Sequence, residues 1–253
     1  MTMDTGRLVA ALDAYALPLR AALERGASQG FRRVELSALA PELDPGACGE
    51  SARRHLRKFL ADLGLEPAGL SLRFPGAGLA DPASAEQRLD RLRAALELAS
   101  SLGARQASVT LSGFDDARSA GLAEEALRAT AELADRVGTP VCVLDPRAPL
   151  DQCAQRVRAC RCPALLVAMD TAWHADTGAA ARHIGAAYLR DVRRVGPRLE
   201  EVDFGAGEVD FRAVLAGLEG AGGGATLILR PEAGGRVDAL VRGREYIASL
   251  SRR

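Results

Sequence analysis

The sequence predicts an α/β protein that forms a single (β/α)8 TIM barrel, with one domain over residues 1–253. Short apolar runs alternate with segments of helical periodicity along the whole chain, which is typical of repeated βα units around a parallel sheet. Eight such units fit into 253 residues, as a closed barrel requires. No G-x-G-x-x-G motif follows the first predicted strand, which disfavours an open dinucleotide-binding sheet.

The predicted strands are the short, mostly apolar runs, because parallel strands of a barrel are buried on both faces. In chain order they are Leu8–Leu12, Arg33–Leu36, Ala68–Leu72, Gln106–Leu111, Pro140–Leu144, Ala164–Met169, Ile184–Leu189 and Ala225–Leu229.

The predicted helices lie between these strands, and the clearest of them carries leucines at 89, 92, 96, 98 and 102, which form one apolar face. Several helices end in a glycine, such as Gly103 and Gly138, and glycine suits the left-handed C-terminal cap. The predicted helices are Pro18–Ser28, Ser51–Leu63, Ala85–Leu102, Ala120–Val137, Leu150–Arg161, a short one at Gly178–His183, Phe211–Leu218 and Val237–Leu250.

The overall composition excludes several classes of protein. Lys+Arg and Asp+Glu both total 33, so we expect no nucleic-acid or membrane-surface partner. No apolar stretch of about 18 residues and no secretory signal is apparent, which predicts a cytoplasmic protein. The five cysteines are an odd number, so we expect no disulfide framework, and their spacing completes no zinc motif.

Polar side chains stand at the carboxyl ends of the predicted strands, where TIM barrels form their sites. Because these ends meet at one rim, we expect the side chains to form a polar ring. Its members are Asp13, Glu35, Ser37, Arg73, Ser112, Asp145, Arg147, Asp170, Trp173, His174, Tyr188, Arg190, Asp191, Arg230 and Glu232.

Four segments resemble the sugar phosphate isomerase/epimerase superfamily, the xylose isomerase-like TIM barrels. They are residues 30–37, 56–66, 188–191 and 204–211, and the last, with its Gly-x-Gly-x-Val-Asp-Phe sequence, is the most specific. The resemblance covers essentially the whole chain. It implies a divalent metal held by a Glu after strand five, an Asp after strand six, a His on strand seven and a Glu after strand eight. It also implies proton transfer between adjacent carbons of a sugar or keto acid.

Matching these positions indicates a rewritten metal site. The strand-five Glu corresponds to Asp145, the strand-six Asp to Asp170, the His to Tyr188 and the strand-eight Glu to Arg230, with Glu232 two residues further on. A guanidinium is a permanent cation and cannot bind a metal ion. We therefore predict no metal cofactor, unless Asp145, Asp170 and Glu232 converge on Mg²⁺, Mn²⁺ or Zn²⁺. Our hypothesis is that Arg230 replaces the cation and pairs with Asp170 and Asp145.

The expected function is an isomerase or epimerase-like enzyme that moves a proton next to a carbonyl of a small, polar, anionic substrate. A lyase, dehydratase or cyclase on a specialised metabolite, and a non-catalytic ligand-binding barrel, remain alternatives. A homodimer is also left open. The expected catalytic residues are Asp145, Asp170, Tyr188, Arg230 and Glu35, and the expected substrate-binding residues are Arg73, Arg147, Trp173, His174, Arg190 and Glu232.

Each of these assignments has a structural alternative. The four rim arginines can converge on a substrate anion, or each can pair with a neighbouring acid. Glu35 is either a proton-transferring acid or an ion-pair partner inside the barrel. Tyr188 either donates a hydrogen bond to the substrate or packs in the core. Trp173 suits an apolar wall against a ligand, and His174 suits a proton shuttle.

Overall fold

A closed barrel of eight parallel strands forms the centre of the protein. The computed structural model describes residues 5–45, 47–114, 119–196, 198–222, 224–232 and 238–250. Ten strands lie in these ranges. Eight of them close the barrel, in which each strand pairs with the barrel strands before and after it in the chain and the last pairs with the first. The predicted (β/α)8 architecture is therefore confirmed. None of the helices within these ranges is long and apolar enough to cross a membrane.

All eight predicted strands are present, with their ends shifted by at most two residues. They are β1 Val9–Ala11, β2 Arg33–Ser37, β3 Glu66–Leu72, β4 Ala107–Thr110, β5 Val141–Leu144, β6 Leu165–Asp170, β7 Ile184–Leu189 and β10 Thr226–Leu229.

The helices also follow the predicted periodicity. The start predicted for the last helix, Val237, lies outside the described residues, and the described helix begins at Ala239. A short 3-10 helix occupies the predicted Gly178–His183 segment. The α-helices are α1 Leu19–Ser28, α2 Glu50–Asp62, α3 Ala85–Leu102, α4 Ala120–Val137, α5 Leu150–Ala159, α6 Phe211–Gly220 and α7 Ala239–Leu250.

An antiparallel hairpin that the sequence analysis did not predict stands after the seventh barrel strand. It consists of β8 Asp191–Val195 and β9 Arg198–Val202, which pair in register from Asp191 with Val202 to Val195 with Arg198. Most of its residues are exposed or half-exposed, and the two strands carry many charges. Apolar periodicity therefore gives no signal for it.

The buried apolar residues form two clusters. The larger one fills the layer between the strands and the surrounding helices. The smaller one lies inside the barrel and contains several alanines, including Ala11, Ala68, Ala168 and Ala186. Small residues in the lumen leave room for larger polar side chains near its upper end, where Tyr188 is fully buried.

The Gly-x-Gly segment that carries the most specific part of the resemblance is held by Asp191. The Asp191 carboxylate accepts hydrogen bonds from the backbone N–H groups of Gly205 (2.8 Å), Gly207 (3.0 Å) and Val209 (3.3 Å). A Cβ at Gly207 would overlap this carboxylate. Asp210 then accepts a hydrogen bond from the backbone of Ala213 and caps α6. Asp191 therefore organises a loop and does not face the barrel mouth with the other predicted rim residues.

Candidate active site

Glu35 is a buried acid of the barrel mouth, the polar end of the lumen at the carboxyl ends of the strands. It lies on β2, is only 2% exposed, and faces β7 across the lumen. The hydroxyl of Tyr188 donates a hydrogen bond to Glu35 Oε1 at 2.8 Å. Ser108 on β4 hydrogen-bonds to the Tyr188 hydroxyl and lies 3.5 Å from the same Glu35 oxygen. Side chains from β4 and β7 thus fix one oxygen of the Glu35 carboxyl group.

The other oxygen, Glu35 Oε2, is buried and has no hydrogen-bond partner. Burial raises the pKa of Glu35 from its ordinary value of 4.5 to about 7, because the charged form loses its hydration. The Arg230 guanidinium opposes this effect, while Asp13 adds to it. The pKa of Tyr188 is also raised well above its ordinary value, by burial and by the Glu35 charge. Glu35 can therefore gain or lose a proton near neutral pH.

Arg230 follows β10 and joins Glu35 to the first strand. Its guanidinium makes a two-point ion pair with Asp13, at 2.6 Å for Nη2 to Oδ2 and 2.9 Å for Nη1 to Oδ1. The Nη1 atom lies 3.9 Å from Glu35 Oε2. Arg230 Nε is buried and makes no hydrogen bond. The position that the resemblance assigns to a metal-binding Glu thus holds a cation already bound by two acids.

Asp170, at the end of β6, lies between two other arginines. Arg190 Nε donates to Asp170 Oδ1 at 2.7 Å, and Arg73 Nη2 donates to Oδ2 at 3.3 Å. Burial raises the pKa of Asp170, but the charges of Arg190 and Arg73 outweigh it and bring the pKa below its ordinary value. The Arg73 guanidinium also lies over the Tyr188 ring, 4.3 Å from its centroid. Asp170 is therefore a charged anchor for the arginines and a poor proton acceptor.

Glu232 contacts all three of these arginines from the solvent side. Its carboxylate lies 2.5 Å from Arg190 Nη1, 3.6 Å from Arg73 Nη2 and 3.8 Å from Arg230 Nε. The Glu232 side chain is 47% exposed, whereas those of the arginines are 18% exposed or less. The mouth thus contains a cluster of three guanidiniums with acids on both sides, which we call the arginine cluster: Arg73, Arg190 and Arg230.

Asp145 and His174 lie beside the arginine cluster and make hydrogen bonds of their own. Asp145 Oδ1 accepts hydrogen bonds from Ser112 Oγ at 2.8 Å and from the backbone N–H of Arg147 at 3.0 Å. The backbone N–H of Asp170 donates to His174 Nδ1 at 3.0 Å. Burial lowers the pKa of His174, so the neutral ring is favoured. Asp145 Oδ2 is buried without a hydrogen-bond partner, and the backbone groups of Asp145 and Ala148 lie beside the His174 ring.

The remaining predicted site residues lie at the outer edge. Trp173 is 52% exposed, with its ring centroid 6.0 Å from the Arg190 guanidinium carbon, so it stands over the arginine cluster. The Arg147 side chain is exposed, and its described contact with the site is through its backbone.

The proposed partners of Arg230 were wrong, because its ion pairs are with Asp13 and Glu35, while Asp170 pairs with Arg73 and Arg190. Asp145, Asp170 and Glu232 also do not converge in the way that a shared metal ion would require. Among the described residues no group of three or more His, Cys, Asp or Glu is arranged to hold an ion. Cationic guanidiniums occupy the space between the acids, and this donor set does not fit a divalent cation.

Sequence reasoning missed three contributors to this site. Asp13 was placed on the rim but given no role, and it is the main partner of Arg230. Ser108 lies within β4, and its inward direction follows from the register of the strand and not from any motif. Glu201 stands on the unpredicted β9 strand, where it lies 3.6 Å from Arg190 and accepts the backbone N–H of Glu232.

The fold and the mouth define a TIM barrel with a polar site at the carboxyl ends of its strands, lined by acids and arginines. The family described as xylose isomerase-like TIM barrel matches residues 23–250, and the chain belongs to this family. No curated protein is a significant match.

Solved structures share this fold at low sequence identity. A xylose isomerase domain protein from Planctomyces limnophilus has a TM-score of 0.78 and 18% identity, covering 96% of this chain and 95% of that one. A xylose isomerase-like TIM barrel protein from Mycobacterium smegmatis, in complex with magnesium, has a TM-score of 0.79 and 15% identity, with 98% of each chain covered. A D-tagatose 3-epimerase-like protein has a TM-score of 0.76 and 14% identity, covering 100% of this chain and 98% of that one. These likenesses establish the fold alone.

Proposed function

We propose that this protein is an isomerase or epimerase-like enzyme in which Glu35 moves a proton on the carbon next to a carbonyl group. The observation that carries the proposal is the state of Glu35. It is a buried carboxyl group with a pKa of about 7, one fixed oxygen and one oxygen without a hydrogen-bond partner. A general base works best when its pKa lies close to the operating pH.

The hydrogen bond from Tyr188 orients Glu35 through Oε1 and leaves Oε2 as the oxygen that takes the proton. When Oε2 accepts a proton from the substrate carbon, the electrons of the C–H bond move into an enolate. When that carbon carries a hydroxyl group, return of the proton to the neighbouring carbonyl carbon, together with transfer of the hydroxyl proton from one oxygen to the other, completes an isomerisation. Protonation of the opposite face of the same carbon by water, with Glu35 passing its proton to solvent, gives an epimer. Ser108 on β4 hydrogen-bonds to the Tyr188 hydroxyl and helps to hold it against Glu35.

Arg230 supplies the positive charge for the enolate oxygen. Its Nη1 lies 3.9 Å from Glu35 Oε2, so the base and the cation face the same part of the mouth. Fixed charges in a buried site stabilise developing charge without the cost of reorganising water. We propose that this guanidinium takes the place of the family's divalent metal, since the donor set does not fit such an ion.

The substrate is a small polar anion. The guanidinium donors of the arginine cluster suit a negatively charged group that replaces one of the acids now beside them, and Trp173 offers an apolar surface beside Arg190. Glu35 is only 2% exposed, so a substrate reaches it by entering the mouth and displacing part of the side chains above it.

The proposal is tested by solvent deuterium incorporation. Wild-type protein and the Glu35→Gln variant are incubated in D₂O with a panel of ketoses, aldoses, hydroxy acids and keto acids, and carbon-bound protons are followed by NMR. We expect exchange into at least one compound by the wild type and a loss of about 100-fold or more in Glu35→Gln. Glu24→Gln, at an exposed ion pair with Arg20, is the matched control and should exchange at the wild-type rate. Unchanged exchange in Glu35→Gln would rule out this role for Glu35.

A further inference from the structure

We propose that the arginine cluster binds the carboxylate group of a small organic monoanion, in the position that the Glu232 carboxylate occupies in this structure. This inference rests on the proposed function and deepens it. It identifies the substrate as a hydroxy or keto acid in place of the broader class of anions, and it makes Glu232 an internal competitor of the substrate.

The geometry around Glu232 resembles that of a bound ligand. Its carboxylate reaches Arg190 at 2.5 Å, Arg73 at 3.6 Å and Arg230 at 3.8 Å, although these three residues come from three different strand ends. The backbone N–H of Glu232 donates to Glu201 at 2.9 and 3.0 Å and holds the main chain in place. Rotation of one side chain that is 47% exposed is therefore sufficient to vacate the position.

The arginines offer donors that a ligand can use. The side chains of Arg190 and Arg230 are 8% and 9% exposed, so a group that contacts them is largely removed from water. Arg230 Nε is buried and has no hydrogen-bond partner, and it lies on the Glu232 side of the guanidinium. A carboxylate placed slightly deeper than that of Glu232 would satisfy this donor and approach Glu35.

The balance of charges favours a monoanion. Besides Glu232, four acids contact the three arginines: Asp13, Glu35, Asp170 and Glu201. Exchange of the Glu232 carboxylate for a substrate carboxylate leaves the local charge unchanged. A phosphate group with two charges would add repulsion at a site that already holds more acids than arginines. The site therefore selects a carboxylate over a phosphate.

The test is a chemical complementation of Glu232→Ala with acetate, which has the size of the deleted group. Binding is measured as the shift in the midpoint temperature of thermal unfolding when acetate is added. Chloride at equal ionic strength is the reference. We expect acetate to stabilise Glu232→Ala with a dissociation constant at least about tenfold lower than for the wild type. Phosphate should act no more strongly than chloride. Glu232→Gln, whose amide still fills the position, should respond to acetate less than Glu232→Ala.

Glu200→Ala is the matched control, because Glu200 stands on β9 beside Glu201 and pairs at 3.6 Å with the exposed Arg193. It should respond to acetate as the wild type does. A stronger response of Glu232→Ala to phosphate than to acetate would overturn the choice of carboxylate. Equal acetate responses in Glu232→Ala and the wild type would overturn the inference, since Glu232 would then be only an ion-pair partner. Neither result bears on deuterium exchange by Glu35, so failure of one proposal is distinguishable from failure of the other.

Discussion

Replacement of Glu35 by Gln should change how the stability of the protein depends on pH. The pKa of Glu35 is about 7 in the folded protein, against an ordinary value of 4.5 that applies to the unfolded chain. As pH rises from 4.5 towards 7, the unfolded chain loses this proton while the folded protein keeps it. The wild type therefore loses stability over this range, and Glu35→Gln, which has no proton to lose, does not.

The size of the effect follows from the same difference. The pKa of Glu35 rises from 4.5 in the unfolded chain to about 7 in the folded protein. At about 1.4 kcal/mol for each pKa unit, this difference changes the free energy of unfolding by about 3 kcal/mol. The free energy of unfolding of Glu35→Gln, relative to the wild type, should therefore increase by about this amount between pH 4.5 and pH 8. The attraction between Arg230 and the charged form of Glu35 lowers this pKa, so it is already included in the value of about 7.

Urea unfolding, followed by circular dichroism at a series of pH values, measures this difference directly. Glu24→Gln, at an exposed pair on α1, shows how a surface Glu-to-Gln change behaves under the same conditions. A difference between Glu35→Gln and the wild type that stays constant within about 1 kcal/mol from pH 4.5 to pH 8 would refute the raised pKa.

Other changes test the packing around the site. Arg230→Met should lower the free energy of unfolding at pH 8 by about 3 kcal/mol, because Asp13 and the buried Glu35 lose their shared cation, and a loss below about 1 kcal/mol in urea unfolding would contradict this. Gly207→Ala should destabilise the protein by about 1–3 kcal/mol in the same assay, since its Cβ would overlap the Asp191 carboxylate. Gly121→Ala has open space around its Cβ within α4 and should be neutral or stabilising by up to about 1 kcal/mol, so equal effects of the two glycine changes would count against the overlap.

The strands and helices were predictable because their signal is local. Apolar residues repeat with the period of the element that they form, so the run at 106–111 and the leucines of α3 are visible without any knowledge of distant contacts. The β8–β9 hairpin has no such signal, because most of its side chains are at least partly exposed and six of its ten strand residues are charged. It nevertheless shapes the site, since it brings Glu201 to Arg190.

The members of the site were predictable only in part. Position near the carboxyl end of a strand was sufficient to place Glu35, Arg230 and Asp170 at one rim, because the carboxyl ends of parallel strands meet there. The pairing among them depends on register and side-chain direction across the closed barrel. Arg230 forms its ion pair with Asp13, 217 residues earlier in the chain, and not with Asp170 as was expected. Ion pairs of this kind cannot be deduced from spacing along the sequence.

The central claim is that Glu35 transfers the proton while arginine side chains supply the positive charge that a metal supplies elsewhere in the family. The most direct test is the rate of deuterium incorporation into a substrate identified from the panel, measured at pH 8 on protein dialysed against EDTA and again after addition of Mn²⁺, Mg²⁺ or Zn²⁺. The account predicts equal rates in all four samples. Exchange that is lost in EDTA and restored by one of these ions would contradict it.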